Sequence, residues 1–114
     1  MLNALTRLVI RKLSANLNSF VEMSGAHGTS RIDFILSASE TGGVIAFDSA
    51  GRHVIAPDDI IEFYGGLKIS RVNVACEIYA MCGNAAESLF DVGAIGYLPG
   101  CDRCAQKMSY ARVN

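Results

Sequence analysis

Four cysteines constrain this chain more than any other feature. Cys76, Cys82, Cys101 and Cys104 stand in its last third in the pattern Cys-x5-Cys-x18-Cys-x2-Cys, and they are all the cysteines it has. A Cys-x2-Cys on a tight turn points both thiolates at one tetrahedral centre about 2.3 Å from each sulfur, and a distant second pair closes the coordination. Gly93, Gly96, Pro99 and Gly100 crowd the approach to Cys101 and bend the chain tightly enough for this. The first pair is looser: five residues separate Cys76 from Cys82, where about two to four are usual, so Cys82 is the least regular member of the set. The expectation is one structural zinc ion on all four sulfurs, adding metal-binding free energy to a small core. Three other readings stay open. The zinc could take a different fourth ligand, Cys76 and Cys82 could be small buried apolar residues, or the same thiolate set could hold iron.

At 114 residues the chain suffices for one domain, 1–114, and not for two. With 51% hydrophobic residues, 18% charged and a net charge of -1, it reads as a folded protein with apolar surface to spare for a partner. The near-neutral balance and the lack of a long Lys/Arg run exclude a nucleic-acid binder, because phosphate neutralisation needs a basic face. No stretch reaches the roughly 18 consecutive apolar residues of a membrane span. Contact with a membrane would therefore be peripheral, through partners.

Residues 1–20 read as an amphipathic basic helix. Leu2, Leu5, Val9, Leu13 and Leu17 recur at helical spacing with Arg7 and Arg11 opposite, and no acid precedes Glu22. Such a segment is either a targeting helix of the mitochondrial kind or a surface helix that packs Leu5, Val9 and Leu13 on the core. Ser24 to Gly28 is a breaker cluster. Period-two alternation then predicts a three-strand meander over 31–56, with Ile32, Phe34 and Leu36 on one side of the first strand. Pro57-Asp58-Asp59 opens a helix of about two turns that Gly65-Gly66 stops. From Lys68 the alternation returns, with Val72, Val74, Cys76 and Ile78 on one face, which places Cys76 on or just beyond a strand. Asn84 to Leu89 suits a short helix, and Leu89, Phe90 and Val92 suit a strand equally well. The fold class expected is α+β: a small antiparallel sheet, an N-terminal amphipathic helix, and a zinc-ribbon-like β region over 68–114.

Other chemistry fits less well. A redox dithiol of the thioredoxin kind stands at a helix start after the first strand of a βαβ unit, whereas Cys101 and Cys104 lie near the carboxyl end. A zinc deaminase needs a His/Cys-x-Glu upstream, and Cys76 is followed directly by Glu77. His27 and His53 have no nucleophile motif nearby and read as loop or strand surface residues. Gly42-Gly43 and Gly65-Gly66 lack the lysine and Ser/Thr of a phosphate cradle. Tyr64, Tyr79 and Tyr97 read as core or interface residues.

The stretch from Gly51 to Val113 resembles the zinc-binding subunit of mitochondrial cytochrome c oxidase called Vb in animals and IV in fungi and plants. The matching residues are Gly51, Pro57, the strand Arg71-Val72-Asn73-Val74-Ala75-Cys76, then Phe90, Gly96 and Cys101-Asp102-Arg103-Cys104. Gly96 falls five residues before the Cys-x2-Cys, as in that family, and Phe90 falls where the family usually has tryptophan. Cys82 is displaced from the family's second ligand, the paired aromatics of its last strands are missing, and residues 1–50 have no counterpart. The small zinc subunit of respiratory complex I has a similar cysteine separation but uses a histidine that this chain lacks. The resemblance implies a peripheral subunit on the matrix side of the mitochondrial inner membrane, bound to other subunits of a multi-protein respiratory complex. It would have structural zinc and no catalytic residues. The competing expectations are an independent zinc-stabilised interaction module of bacterial or phage type in the cytoplasm, and a dithiol redox protein.

Overall fold

The alternation from Arg31 to Leu36 is realised as strand β2 (Ser30–Ser39), which with β3 (Gly43–Asp48) and β4 (Gly51–Ile55) makes an antiparallel meander. This computed structural model describes residues 4–26, 28, 30–64 and 68–114. Phe34 stands opposite Phe47, and Ile45 opposite Val54. The β3–β4 turn is closed by the Asp48 side chain, which accepts the Ala50 N–H at 2.8 Å. Two further strands were not expected in this sheet. β1 (Phe20–Ser24) lies between β2 and β5 (Lys68–Arg71), giving five strands in the order β4-β3-β2-β1-β5.

Both faces of this sheet are covered. On one face Val21, Met23, Ile35, Val44 and Ala46 pack against Val9 and Leu13 of helix α1 (Ala4–Ser14) and Ile60 of helix α2 (Pro57–Tyr64). On the other, Phe20, Phe34 and Phe47 pack against Leu89, with Val72, Val74, Tyr97 and Val113 around them. Two edge-to-face ring pairs lock this second layer: Phe20 with Phe34 at 5.1 Å, and Phe47 with Tyr97 at 4.9 Å.

Helix α1 buries Thr6, Val9, Ile10 and Leu13, while Leu5, expected on the core face, is 47% exposed. The buried Thr6 hydroxyl is satisfied by the Asp58 carboxylate of α2, so the two helices are joined by a polar contact as well as by packing. Arg7 and Arg11 face solvent. No helix among the described residues is long and apolar enough to cross a membrane. His27 and the Gly65-Gly66 stop lie outside the described residues.

β5 ends at Arg71 because its partner runs out. β1 begins at Phe20, whose carbonyl accepts the Val72 N–H at 3.0 Å as the last bond of the pair. Beyond it the chain stays extended with Val72, Val74, Cys76 and Ile78 facing inward and Asn73, Ala75 and Glu77 outward. Cys76 thus lies past a strand, beside an isolated bridge between Ala75 and Ala85. Leu89 to Asp91 belongs to strand β6 (Ser88–Asp91), which pairs with β7 (Tyr97–Gly100) and β8 (Ala111–Arg112) in a second, three-stranded antiparallel sheet. The whole is an α+β fold with its cysteines gathered at the C-terminal end.

Gly96 makes the β6–β7 connection possible. Its φ is +105°, and a Cβ there would stand 3.1 Å from the Ser49 carbonyl oxygen of the first sheet. Gly96→Ala is expected to cost about 1–3 kcal/mol, read as a lower midpoint in urea with an unchanged slope.

Candidate metal centre

The two cysteine pairs arrive on different kinds of backbone. Cys76 is carried by the extended segment after β5, and its own N–H donates to the Asn84 carbonyl at 2.9 Å. The chain then turns at Tyr79, where the Cys82 N–H donates to the Tyr79 carbonyl at 3.0 Å. That turn takes up the extra residues of the Cys-x5-Cys spacing and swings Cys82 back over the cluster. The second pair follows β7. Cys101 is extended, with φ -90° and ψ 155°, and caps helix α3 (Asp102–Met108), whose first turn brings Cys104 to the same side.

This helix was not expected: the Gly/Pro-rich approach reads as a turn, yet it ends on a helix start. The pair therefore shares a helix start with redox dithiols, but it still lies near the carboxyl end and follows an antiparallel hairpin rather than the first strand of a βαβ unit. Its surroundings also distinguish the pair. Cys101 is 1% exposed, Cys76 and Cys104 are 7% exposed, and Cys82 is half-buried.

All four Sγ atoms lie within 4.8 Å of one another. Cys82 Sγ is 3.4 Å from Cys104 Sγ and 3.6 Å from Cys101 Sγ. A tetrahedron with arms of about 2.3 Å has an edge of about 3.8 Å, so these separations are close to those of a four-thiolate metal site. They are far longer than the roughly 2.05 Å of a disulfide, and all four cysteines are free.

Electrostatics agree with the geometry. The Cys104 N–H, aided by the neighbouring sulfurs and the Asn84 amide, outweighs burial and draws Cys101 down to about 6. Burial alone would raise Cys76, but the N–H groups of Cys101, Ile78 and Tyr79 more than offset it and hold that thiol below its ordinary value. Contact with the Cys82 sulfur, then burial and the Cys101 sulfur, pushes Cys104 up to about 12. Four sulfurs this close do not ionise together without a cation, and a divalent ion would take the place of their shared protons. The N–H donors around Cys76 and Cys101 would remain as supports of the bound thiolates.

Packing fixes this arrangement. Glu77 and Glu87 donate their N–H groups to the Pro99 and Gly100 carbonyls, both at 2.8 Å, which ties the Cys76 segment and the entry to β6 to the strand that leads into Cys101. Gly100 has no room for a Cβ: it would collide with the Ile78 side chain and stand 3.1 Å from the Phe90 ring. On the outside Arg112 of β8 bonds both oxygens of Asp102 at 2.5 Å and lies 5.9 Å from the Phe90 ring centre. The Arg112 hydrogen bonds hold the Asp102 carboxyl below its usual range. Because the folded value is depressed, this contribution is present above the unfolded carboxyl value of about 4 and is lost as pH falls through the folded one. Both groups are partly exposed. Arg112→Ala is therefore expected to cost only about 0.5–1 kcal/mol near neutral pH, with the difference shrinking in high salt and on acidification.

A second polar cluster escaped sequence reasoning. On the helix-covered face, the Asp33 side chain is fully buried and accepts from Arg31 at 2.6 and 2.8 Å. His53 Nε2 stands 2.8 Å from Asp33, and Asp48 is 3.2 Å from Arg31. Asp33, Asp48 and His53 also bring their ligand-type atoms within 4.8 Å of one another. The guanidinium of Arg31 already supplies the positive charge there, so this cluster is a part-buried ion-pair network around a buried Asp33 rather than a cation site. The only signal for it was the Arg-x-Asp of β2, which has no meaning until β3 and β4 are paired beside it.

No family model, no curated protein and no solved structure matches this chain.

Proposed function

We propose that this chain is a non-catalytic, zinc-stabilised accessory subunit of a larger assembly, with Cys76, Cys82, Cys101 and Cys104 as the zinc ligands. The observation that carries the reading is the set of four sulfurs within 4.8 Å of one another, three of them buried and two with backbone N–H donors. A closed set of four protein ligands leaves no open position for substrate, which is the mark of structural zinc. The ion would join two segments distant in sequence: the loop at Cys76–Cys82 and the stretch Cys101–Cys104 that leads from β7 into α3.

Apolar surface supports the subunit reading. Met81 is 91% exposed, and Tyr79, Ile95 and Met108 are also exposed on the C-terminal part, where a partner would cover them. The assembly that the resemblance points to is the matrix side of cytochrome c oxidase. A tagged full-length chain returned to its source cells tests this by native electrophoresis. Co-migration with oxidase activity is the expected result, and migration alone as a monomer or dimer would favour the independent interaction module.

A further inference from the structure

The four sulfurs are not equally reachable. Cys101 is sealed in, and Cys76 is buried on the inner side of the extended segment that carries it. Cys82 is half-buried on its turn, and a cleft of about 340 Å³ opens on it, lined also by Tyr79, Asn84, Arg103, Cys104 and Lys107. Arg103 and Lys107, four apart on α3, are solvent-exposed at its rim. No carboxylate lines this cleft. An incoming anion is therefore attracted to the one place from which a sulfur of the cluster can be reached.

We propose that Cys82 is a thiol-exchange site for small anionic disulfides, of which oxidised glutathione is the type, and that its modification opens the metal centre. This rests on the reading of the four cysteines as zinc ligands. In the first step the Cys82 thiolate attacks one sulfur of the disulfide, the S–S bond breaks, and one glutathione thiolate leaves, giving a mixed disulfide at Cys82. In the second, Cys104, whose Sγ is 3.4 Å from Cys82 Sγ and which lines the same cleft, attacks the Cys82 sulfur and releases the second glutathione thiolate. Two protein thiolates have lost two electrons, and the disulfide has gained them. Cys76 and Cys101 alone would then retain zinc weakly, and the ion is released.

The experiment uses the full chain with its zinc content first verified by native mass spectrometry. Zinc release is followed with a chromogenic zinc indicator during exposure to oxidised glutathione or to cystamine, a cationic disulfide of similar reactivity. Modified cysteines are identified by quenched peptide mass mapping. The expected result is first modification at Cys82, then a Cys82–Cys104 disulfide, with a release rate ratio favouring glutathione by about tenfold at low salt. Arg103→Gln combined with Lys107→Gln, both on the exposed side of α3, is expected to abolish that ratio while zinc content is retained. First modification at Cys76 or Cys101, or a rate ratio the double variant leaves unchanged, overturns the proposal while the zinc reading stands. A chain that purifies without zinc overturns both.

Discussion

Cys101→Ser is expected to abolish stoichiometric zinc binding and to lower stability by about 4 kcal/mol or more, a fall in Tm of about 15 °C or more. Cys101 is the most buried of the four, and its sulfur is met by the Cys104 N–H, the Asn84 amide and Cys82. The loss should be local before it is global. The second sheet has strands of four, four and two residues, too short to hold without a packed layer or a metal. Hydrogen exchange should therefore show β6, β7, β8 and α3 losing protection while β2 and β3 keep theirs. A strong chelator should reproduce the pattern in the unmodified chain. Unchanged stability in the presence of chelator would contradict it.

The second large effect concerns the N-terminal helix. Removing residues 1–17 takes Val9, Ile10 and Leu13 from the core, along with the Thr6 contact to Asp58. At about 1.5–3 kcal/mol for each buried aliphatic side chain, the loss is about 4.5–9 kcal/mol, comparable with the whole stability of an ordinary domain. The truncated chain should be largely unfolded or insoluble. The gentler Leu13→Ala should cost about 2–5 kcal/mol by denaturant unfolding. A truncated chain with a native melting curve would show that α1 is dispensable, as a removable targeting segment must be. The structure makes α1 one of the two helices covering the first sheet, with Val9 and Leu13 in its core.

What could be read from the sequence follows from what is local. The meander over 31–56 announced itself because alternation and the turn residues Thr41-Gly42-Gly43 and Asp48-Ser49-Ala50-Gly51 are short-range signals, and the helix at Pro57 had its proline and two aspartates. β1 gave no comparable signal. Phe20-Val21-Glu22-Met23-Ser24 is five residues with an acid in the middle, and it becomes a central strand only because β2 and β5 pair with it from both sides. Helix α3 was hidden by the glycines and proline before it. Its own signals, Asp102 in the first turn and Lys107 in the last, were present. At the metal centre the four residue types and the Cys-x2-Cys were legible. The irregular Cys-x5-Cys spacing was not interpretable until the Tyr79–Cys82 turn was seen to double the chain back. The Asp33–His53–Arg31 network needed the β3–β4 register, which no local pattern supplies.

The central claim is that four sulfurs of one chain hold one metal ion, and X-ray absorption at the zinc edge on the purified full-length protein tests it most directly. The account predicts one zinc per chain with four sulfur neighbours at about 2.3 Å and no lighter ligand. Zinc with a nitrogen or oxygen bound directly to it would remove one cysteine, Cys82 first, from the site. A metal-free protein with four titratable thiols would contradict the account as a whole.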